Sequence, residues 1–221
     1  VSLTVDELIF LCAVQADGSY VLGGGITFNF KKERKAKRLA GALASVCPGV
    51  VPTKRPARPD RTFFYVPKDS PAHALALKWL PKKKFTADLL KLDRETLDRF
   101  CDEVLLWDGL AGRGTEFSSS ERDNADWVQA AWALSGRRAR MRKYRNSSPN
   151  CRDHWCVDTR SVRGRTKGRK DYSMTSRARK TEVPHDGFVY CVTVPSSYFV
   201  VRRDGKVSIT GNSKGRDDDF K

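Results

Sequence analysis

The 221-residue chain predicts an α+β fold: a unit of helix, Asp-Gly, strand, helix and hairpin that occurs twice, then a small all-β segment. Three observations predict it. Two helical patterns end in Asp-Gly, at Asp17-Gly18 and at Asp108-Gly109. Each is followed by a short period-two strand and a second amphipathic helix. Residues 181–212 then hold short strand patterns joined by turn residues.

The elements are justified in chain order. Residues 4–16 read as a helix, because Thr4 with Glu7 three residues on is a capping box. Leu8, Leu11, Cys12, Gln15 and Ala16 line one of its faces. Gly25–Phe30 alternates with period two, as a strand does. Lys31–Ser45 reads as a helix with Ala36, Leu39, Ala40 and Leu43 together. Pro48–Pro59 is rich in Pro and Arg and reads as a loop, and Thr62–Pro67 as a strand. In the second copy, Asp93–Trp107 reads as a helix, Gly114–Ser119 as a strand and Ser120–Leu134 as a helix. Trp127, Ala130, Ala131 and Leu134 share a face of that last helix. Arg138–Tyr144 and His154–Arg160 pair as a hairpin. Residues 164–180 read as a linker. Phe188–Val194, Tyr198–Arg203 and Lys206–Thr210 read as strands, with Asp204-Gly205 as a two-residue turn.

Composition narrows the function. Apolar residues are 39% and aromatic residues 10% of the chain, too many for a wholly disordered one. No apolar run reaches the ~18 residues that a membrane-spanning helix needs. The run Leu8–Val14 is short and begins beside acids, so it is not expected to be a secretory signal. The first residue is Val, which is compatible with a fragment of a longer precursor. The net charge is +16, and it is uneven. Residues 137–180 carry 16 basic and 3 acidic groups, whereas residues 1–136 carry 20 and 17, and residues 181–221 carry 6 of each. Such a local field favours a polyanion. Tyr144, Trp155, Val157 and Val162 inside the block suit strands better than a plain tail. Nucleic acid is expected rather than a membrane surface, since no basic amphipathic helix with bulky apolar anchors occurs. Cys151 and Cys156 with His154 do not have a usual zinc spacing, and no second pair completes four ligands. Cys12 and Cys101 read as small buried residues, and an intracellular compartment without disulfides is expected.

A carboxylate at a helix C-terminus is disfavoured by the dipole. One such Asp reads as a turn residue. Two at equivalent places of a duplicated unit converge if the helices pack side by side, and their repulsion then calls for a divalent cation. Oxygen ligands of this kind suit Mg2+ or Mn2+. The metal supplies a water nucleophile and stabilises charge on a phosphoryl oxygen.

Phe10-Leu-Cys-Ala-Val-Gln-Ala-Asp-Gly18 resembles the LAGLIDADG motif of homing endonucleases, and Cys101-Asp-Glu-Val-Leu-Leu-Trp-Asp-Gly109 is a weaker second copy. The resemblance covers residues 1–163, with pseudo-repeats at about 1–90 and 91–163. It implies duplicated αββαββα units with saddle-shaped antiparallel sheets, monomeric with pseudo-twofold symmetry, cutting both strands of a long DNA site. It makes Asp17 and Asp108 the metal ligands. A basic residue near the scissile phosphate is also implied. Lys82, Lys83 and Lys84 precede the second motif, and Lys84 is the expected choice. Lys31, Lys32, Arg138, Arg140, Arg142, Arg160 and Arg163 are the expected contacts to double-stranded DNA. Glu103 and Val104 depart from the small residues that let the two motif helices approach, for which the first copy has Cys12 and Ala13.

The stretches Val189–Pro195 and Tyr198–Asn212 resemble the two C-terminal motifs of inteins. The resemblance makes residues 181–212 a partial splicing segment and residues 213–221 the start of the C-extein. Asn212 would close its side-chain amide on its own carbonyl, and the Ser213 hydroxyl would accept an acyl group. Gly211 stands where His is usual, and Cys191 where Asp is usual. Cys191 with Thr210 resembles the class in which an internal Cys is the first nucleophile. An N-terminal intein piece is then an expected partner, upstream in one chain or on a separate polypeptide, and a phage- or bacterium-encoded cytoplasmic protein is expected. Three readings stay open: an intein-borne endonuclease, a DNA-binding remnant without cutting activity, and the C-terminal piece of a split intein.

Overall fold

The computed structural model describes residues 1–109, 116–137, 139–146 and 152–158, and in the C-terminal region 182, 184, 186–188, 192, 194–196 and 198–211. The chain divides into two compact units, residues 1–160 and 161–221.

The first unit is mixed α+β with antiparallel sheets. Helix α1 (Val5–Asp17) begins on the expected capping box: the Thr4 amide donates to Glu7 Oε2 at 2.7 Å, and the Glu7 amide donates to Thr4 Oγ1 at 3.2 Å. Every residue from Leu8 to Gln15 is buried. A helix buried all round is a core element rather than a surface one. Strands β1 (Ser19–Val21) and β2 (Gly25–Phe30) form a hairpin, followed by α2 (Glu33–Val46), β3 (Thr53–Arg55) and β4 (Arg58–Val66). The sheet order is β1-β2-β4-β3. Ile26, Phe28, Phe30, Phe64 and Val66 of this sheet are buried.

The second half starts at α4 (Arg94–Asp108), and β5 (Glu116–Ser119), α5 (Arg122–Leu134), β6 (Arg140–Tyr144) and β7 (His154–Asp158) follow. Strands β5, β7 and β6 pair antiparallel in that order. This repeats the order β2-β4-β3, so the described strands of the second half follow three of the four strands of the first. Phe117, Met141 and Val157 of these strands are buried, as are Val128, Ala131 and Trp132 of α5.

Three features depart from the sequence expectation. The Pro- and Arg-rich stretch is not all loop: β3 forms within it, and β4 starts four residues before Thr62. The strand is fully exposed at Thr53–Arg55 and so has no alternation to read. Between the halves lie α3 (Pro71–Trp79) and two 3-10 turns, Pro81–Lys83 and Ala87–Lys91. Helix α3 is capped by Ser70, whose Oγ accepts from the His73 amide at 3.2 Å, with Pro71 at its first position.

In the second unit, β8 (Tyr198–Arg203) and β9 (Lys206–Gly211) form a hairpin. Asp204 and Gly205 turn it with φ of 51° and 69°, the left-handed pair of a type I′ turn. Phe188, Val192 and Val194 are not in a strand. Residues 164–180, Cys191, Asn212, Ser213 and the rest of the C-terminus lie outside the described residues. Among the described residues, no helix is long and apolar enough to cross a membrane.

Candidate functional site

Helices α1 and α4 pack against each other and end in Asp17 and Asp108. The glycine after each Asp is there for space, not for a left-handed backbone. At Gly18 a Cβ would stand 2.8 Å from the Val14 carbonyl oxygen, and at Gly109 2.1 Å from that of Leu105. Both glycines have extended φ and ψ, so the chain leaves each helix sharply and the Asp is its last residue.

Neither helix carries a basic residue in its last turn. Two carboxylates thus sit at negative dipole ends with no local compensation. The compensation comes from other elements. Lys35, in the first turn of α2, donates to Asp17 Oδ2 at 2.5 Å and is itself buried. Its ammonium lies 5.7 Å from the centre of the Trp107 ring. Burial pushes the Asp108 carboxyl up to about 6; Lys35, Lys83 and Lys32 work against this, and the charge of Asp17 adds to it. The two Asp groups therefore feel each other.

Lys83 comes from the 3-10 turn before α4. Lys82 and Lys83 have φ of 54° and 62°. Two successive left-handed residues that are not glycine are strained, and such strain gathers at functional positions. The turn directs Lys83 Nζ to the Ala16 carbonyl oxygen at 3.3 Å, one residue from Asp17. Burial lowers the Lys83 pKa, while Asp108 and then Asp17 hold it up. Lys84 points elsewhere: its ammonium pairs with Asp123 at 3.0 Å and Glu121 at 3.1 Å, at the start of α5. Of the three lysines, the structure brings Lys83 to the carboxylates.

The unusual Glu103 does not keep the helices apart. It is buried and held by two guanidinium nitrogens of Arg38, with Nε at 2.7 Å from Oε1, and by Trp107 Nε1 at 2.7 Å. A buried carboxylate satisfied by three donors is tolerated in a helix seam. Cys12 faces this region: burial raises its thiol pKa well above normal, and Glu103 and Asp108 add to the rise.

The donor set fits a small hard cation. The carboxylates of Asp17 and Asp108 are hard oxygen donors of the kind that such cations prefer, and a cation beside Asp108 would oppose the rise that burial causes. Among the described residues no cluster of three His, Cys, Asp or Glu that could hold a metal ion occurs.

The remaining expected residues are dispersed. Lys31 and Lys32 are exposed where β2 leads into α2. Arg140 and Arg142 are exposed on β6, opposite its buried Met141. Arg142 Nη2 lies 3.4 Å from Asp158 Oδ2. In the first half, the face of β2 and β4 away from the core presents Thr27, Asn29, Phe63 and Tyr65, and Arg55 of β3 lies 4.4 Å over the Phe63 ring. Thr210 sits on β9 opposite Phe199. Arg138, Arg160 and Arg163 lie outside the described residues. Sequence reasoning missed Lys35. The signal was there: Lys35 precedes Leu39 and Ala42 by one and two turns, on the apolar side of α2.

No family model matches the chain. Its fold is similar to that of solved I-DmoI structures: it matches mesophilic variants of the homing endonuclease I-DmoI with a TM-score of 0.53 and 11% identity, over 72% of this chain and 89% of that one. It matches I-DmoI in complex with DNA and Mn at 0.52 and 11%, over 72% and 92% of the two chains. In sequence, it is 29% identical over 201 residues to the ribonucleoside-diphosphate reductase subunit beta of Aquifex aeolicus strain VF5. That match takes in 85% of this chain but 26% of the relative, so the chain spans about a quarter of that relative's length.

Proposed function

We propose that residues 1–163 are a LAGLIDADG-type DNA endonuclease carried on a protein-splicing element, with residues 181–212 as the C-terminal splicing segment. The pairing of Asp17 and Asp108 at adjacent helix ends, with Lys83 beside them, carries this reading. Asp17 and Asp108 hold Mg2+ or Mn2+, which supplies a water nucleophile and a Lewis acid. The I-DmoI complex with DNA and Mn supports both ligands. Lys83 offers positive charge to a phosphate. Lys31, Lys32, Arg138, Arg140, Arg142, Arg160 and Arg163 bind the DNA backbone, and the open face around Asn29 and Tyr65 meets base edges. A match confined to part of a longer protein of different name is what an inserted element would give. With an N-terminal intein piece, Cys191 would take the upstream acyl group, Ser213 would receive it and Asn212 would release the product, with Thr210 alongside.

The test is linearisation of a plasmid library of long random inserts in Mg2+. Wild type should cut, and Asp17→Asn and Asp108→Asn should not, while both keep DNA affinity. Cleavage at the wild-type rate by the double Asn variant overturns the site. One observation favours the second reading, a DNA-binding remnant: Lys35 already neutralises Asp17.

A further inference from the structure

The Asp17–Lys35 pair is a built feature, not a surface contact. The Lys35 side chain is 9% exposed, its ammonium is 2.5 Å from Asp17 Oδ2, and the Trp107 ring flanks it at 5.7 Å. Trp107 is in turn fixed by its indole N–H on Glu103, which Arg38 holds. Trp107 also precedes Asp108, so one residue links the lysine's cradle to the second carboxylate. The monovalent cation thus lies where a divalent one would need an oxygen of Asp17. Lys83, by contrast, bonds the Ala16 carbonyl and not a carboxylate oxygen.

We propose that Lys35 is an internal competitor for the metal: its ammonium occupies Asp17, and Mn2+ or Mg2+ binds only by displacing it. This rests on the reading of Asp17 and Asp108 as metal ligands. Two ammoniums beside two carboxylates leave little net charge to attract an ion from solution, so the free protein binds metal weakly. Displacement has a ready route, since Lys35 sits in the first turn of α2, beside the exposed Lys31 and Lys32 that meet DNA phosphates in that reading. A phosphate there gives the released ammonium a new partner.

Isothermal titration of the full chain with Mn2+, without DNA, tests this. Lys35→Met keeps the aliphatic stem against Trp107 and should bind one Mn2+ at least about tenfold more tightly than wild type. Lys35→Gln, a milder change, should shift the affinity the same way. Adding Asp17→Asn to Lys35→Met should abolish the gain. Equal affinity in wild type and both Lys35 variants overturns the competitor role and leaves the metal site standing. Weaker binding in the variants also overturns it, because Lys35 would then be positioning Asp17. No Mn2+ binding by any of the proteins overturns both the competitor role and the metal site.

Discussion

At the scale of single residues, Asp108 is the group with the clearest pH signature. Burial, with Asp17 beside it, lifts its carboxyl to about 6, while Lys35, Lys83 and Lys32 oppose the rise. In the unfolded chain it titrates near 4. Between these values the folded protein keeps a proton that the unfolded chain has released. Stability from this group is therefore greatest at low pH and declines as pH rises from about 4 to 6. Asp108→Asn removes the charge that burial penalises. In EDTA at pH 7 the variant should be more stable than wild type by about 2 kcal/mol, and the gap should close near pH 4. Urea melts at the two pH values measure this, and a gap that stays equal at both would mean that Asp108 titrates normally. The two Asp-Gly positions were legible in the sequence, because their equivalence follows from repetition alone. The choice among Lys82, Lys83 and Lys84 was not. It depends on a turn with two left-handed residues that aims Lys83 back at the end of α1 and Lys84 at α5.

Among the elements, the seam between α1 and α4 depends on how α4 hides Glu103. Arg38 reaches it from α2, so one ion pair ties α2 to α4. Arg38→Ala would leave a buried carboxylate with only the Trp107 N–H. It should cost about 3 kcal/mol in chemical denaturation, as breaking a buried pair does. Arg38→Met with Glu103→Leu should recover most of that loss, since two apolar side chains replace the pair. If the single Arg38 change costs under about 0.5 kcal/mol, the pair behaves as an exposed one. Helices α1, α2, α4 and α5 were readable because caps and apolar spacing are local properties. Strand β3 was not, because Thr53–Arg55 has no apolar residue and is fully exposed, held by its pairing to β4 rather than by burial. Helix α3 carried a readable Ser-Pro start at Ser70-Pro71, but His73 and the alanines gave it no strong stripe.

For the whole molecule, the two units differ in what holds them. The continuous apolar core runs from Leu8 to Val157, all of it in the first unit. In the described part of the second, Tyr198, Val200 and Ile209 are exposed. Of the described residues of that unit, only β8 and β9 form strands, and a two-stranded hairpin by itself is marginal in water. Residues 1–160 made alone should therefore unfold cooperatively within a few degrees of the full chain, and residues 161–221 alone should show no cooperative transition by calorimetry. A cooperative melt of the short piece would mean that it has a core of its own. The basic block predicts steep salt dependence of DNA binding. Arg138, Arg140 and Arg142 changed together to Ala should lower the slope of log affinity against log salt by about 0.9 for each phosphate no longer neutralised. An unchanged slope would place the DNA elsewhere. The shared strand order has one more consequence. If one half stood alone, its seam helix could pack only on a second copy of itself, and every substitution in the seam would then appear twice. Joining two copies in one chain lifts that restriction. Each side of the seam is then free to differ, as Cys12 and Ala13 on one helix differ from Glu103 and Val104 on the other.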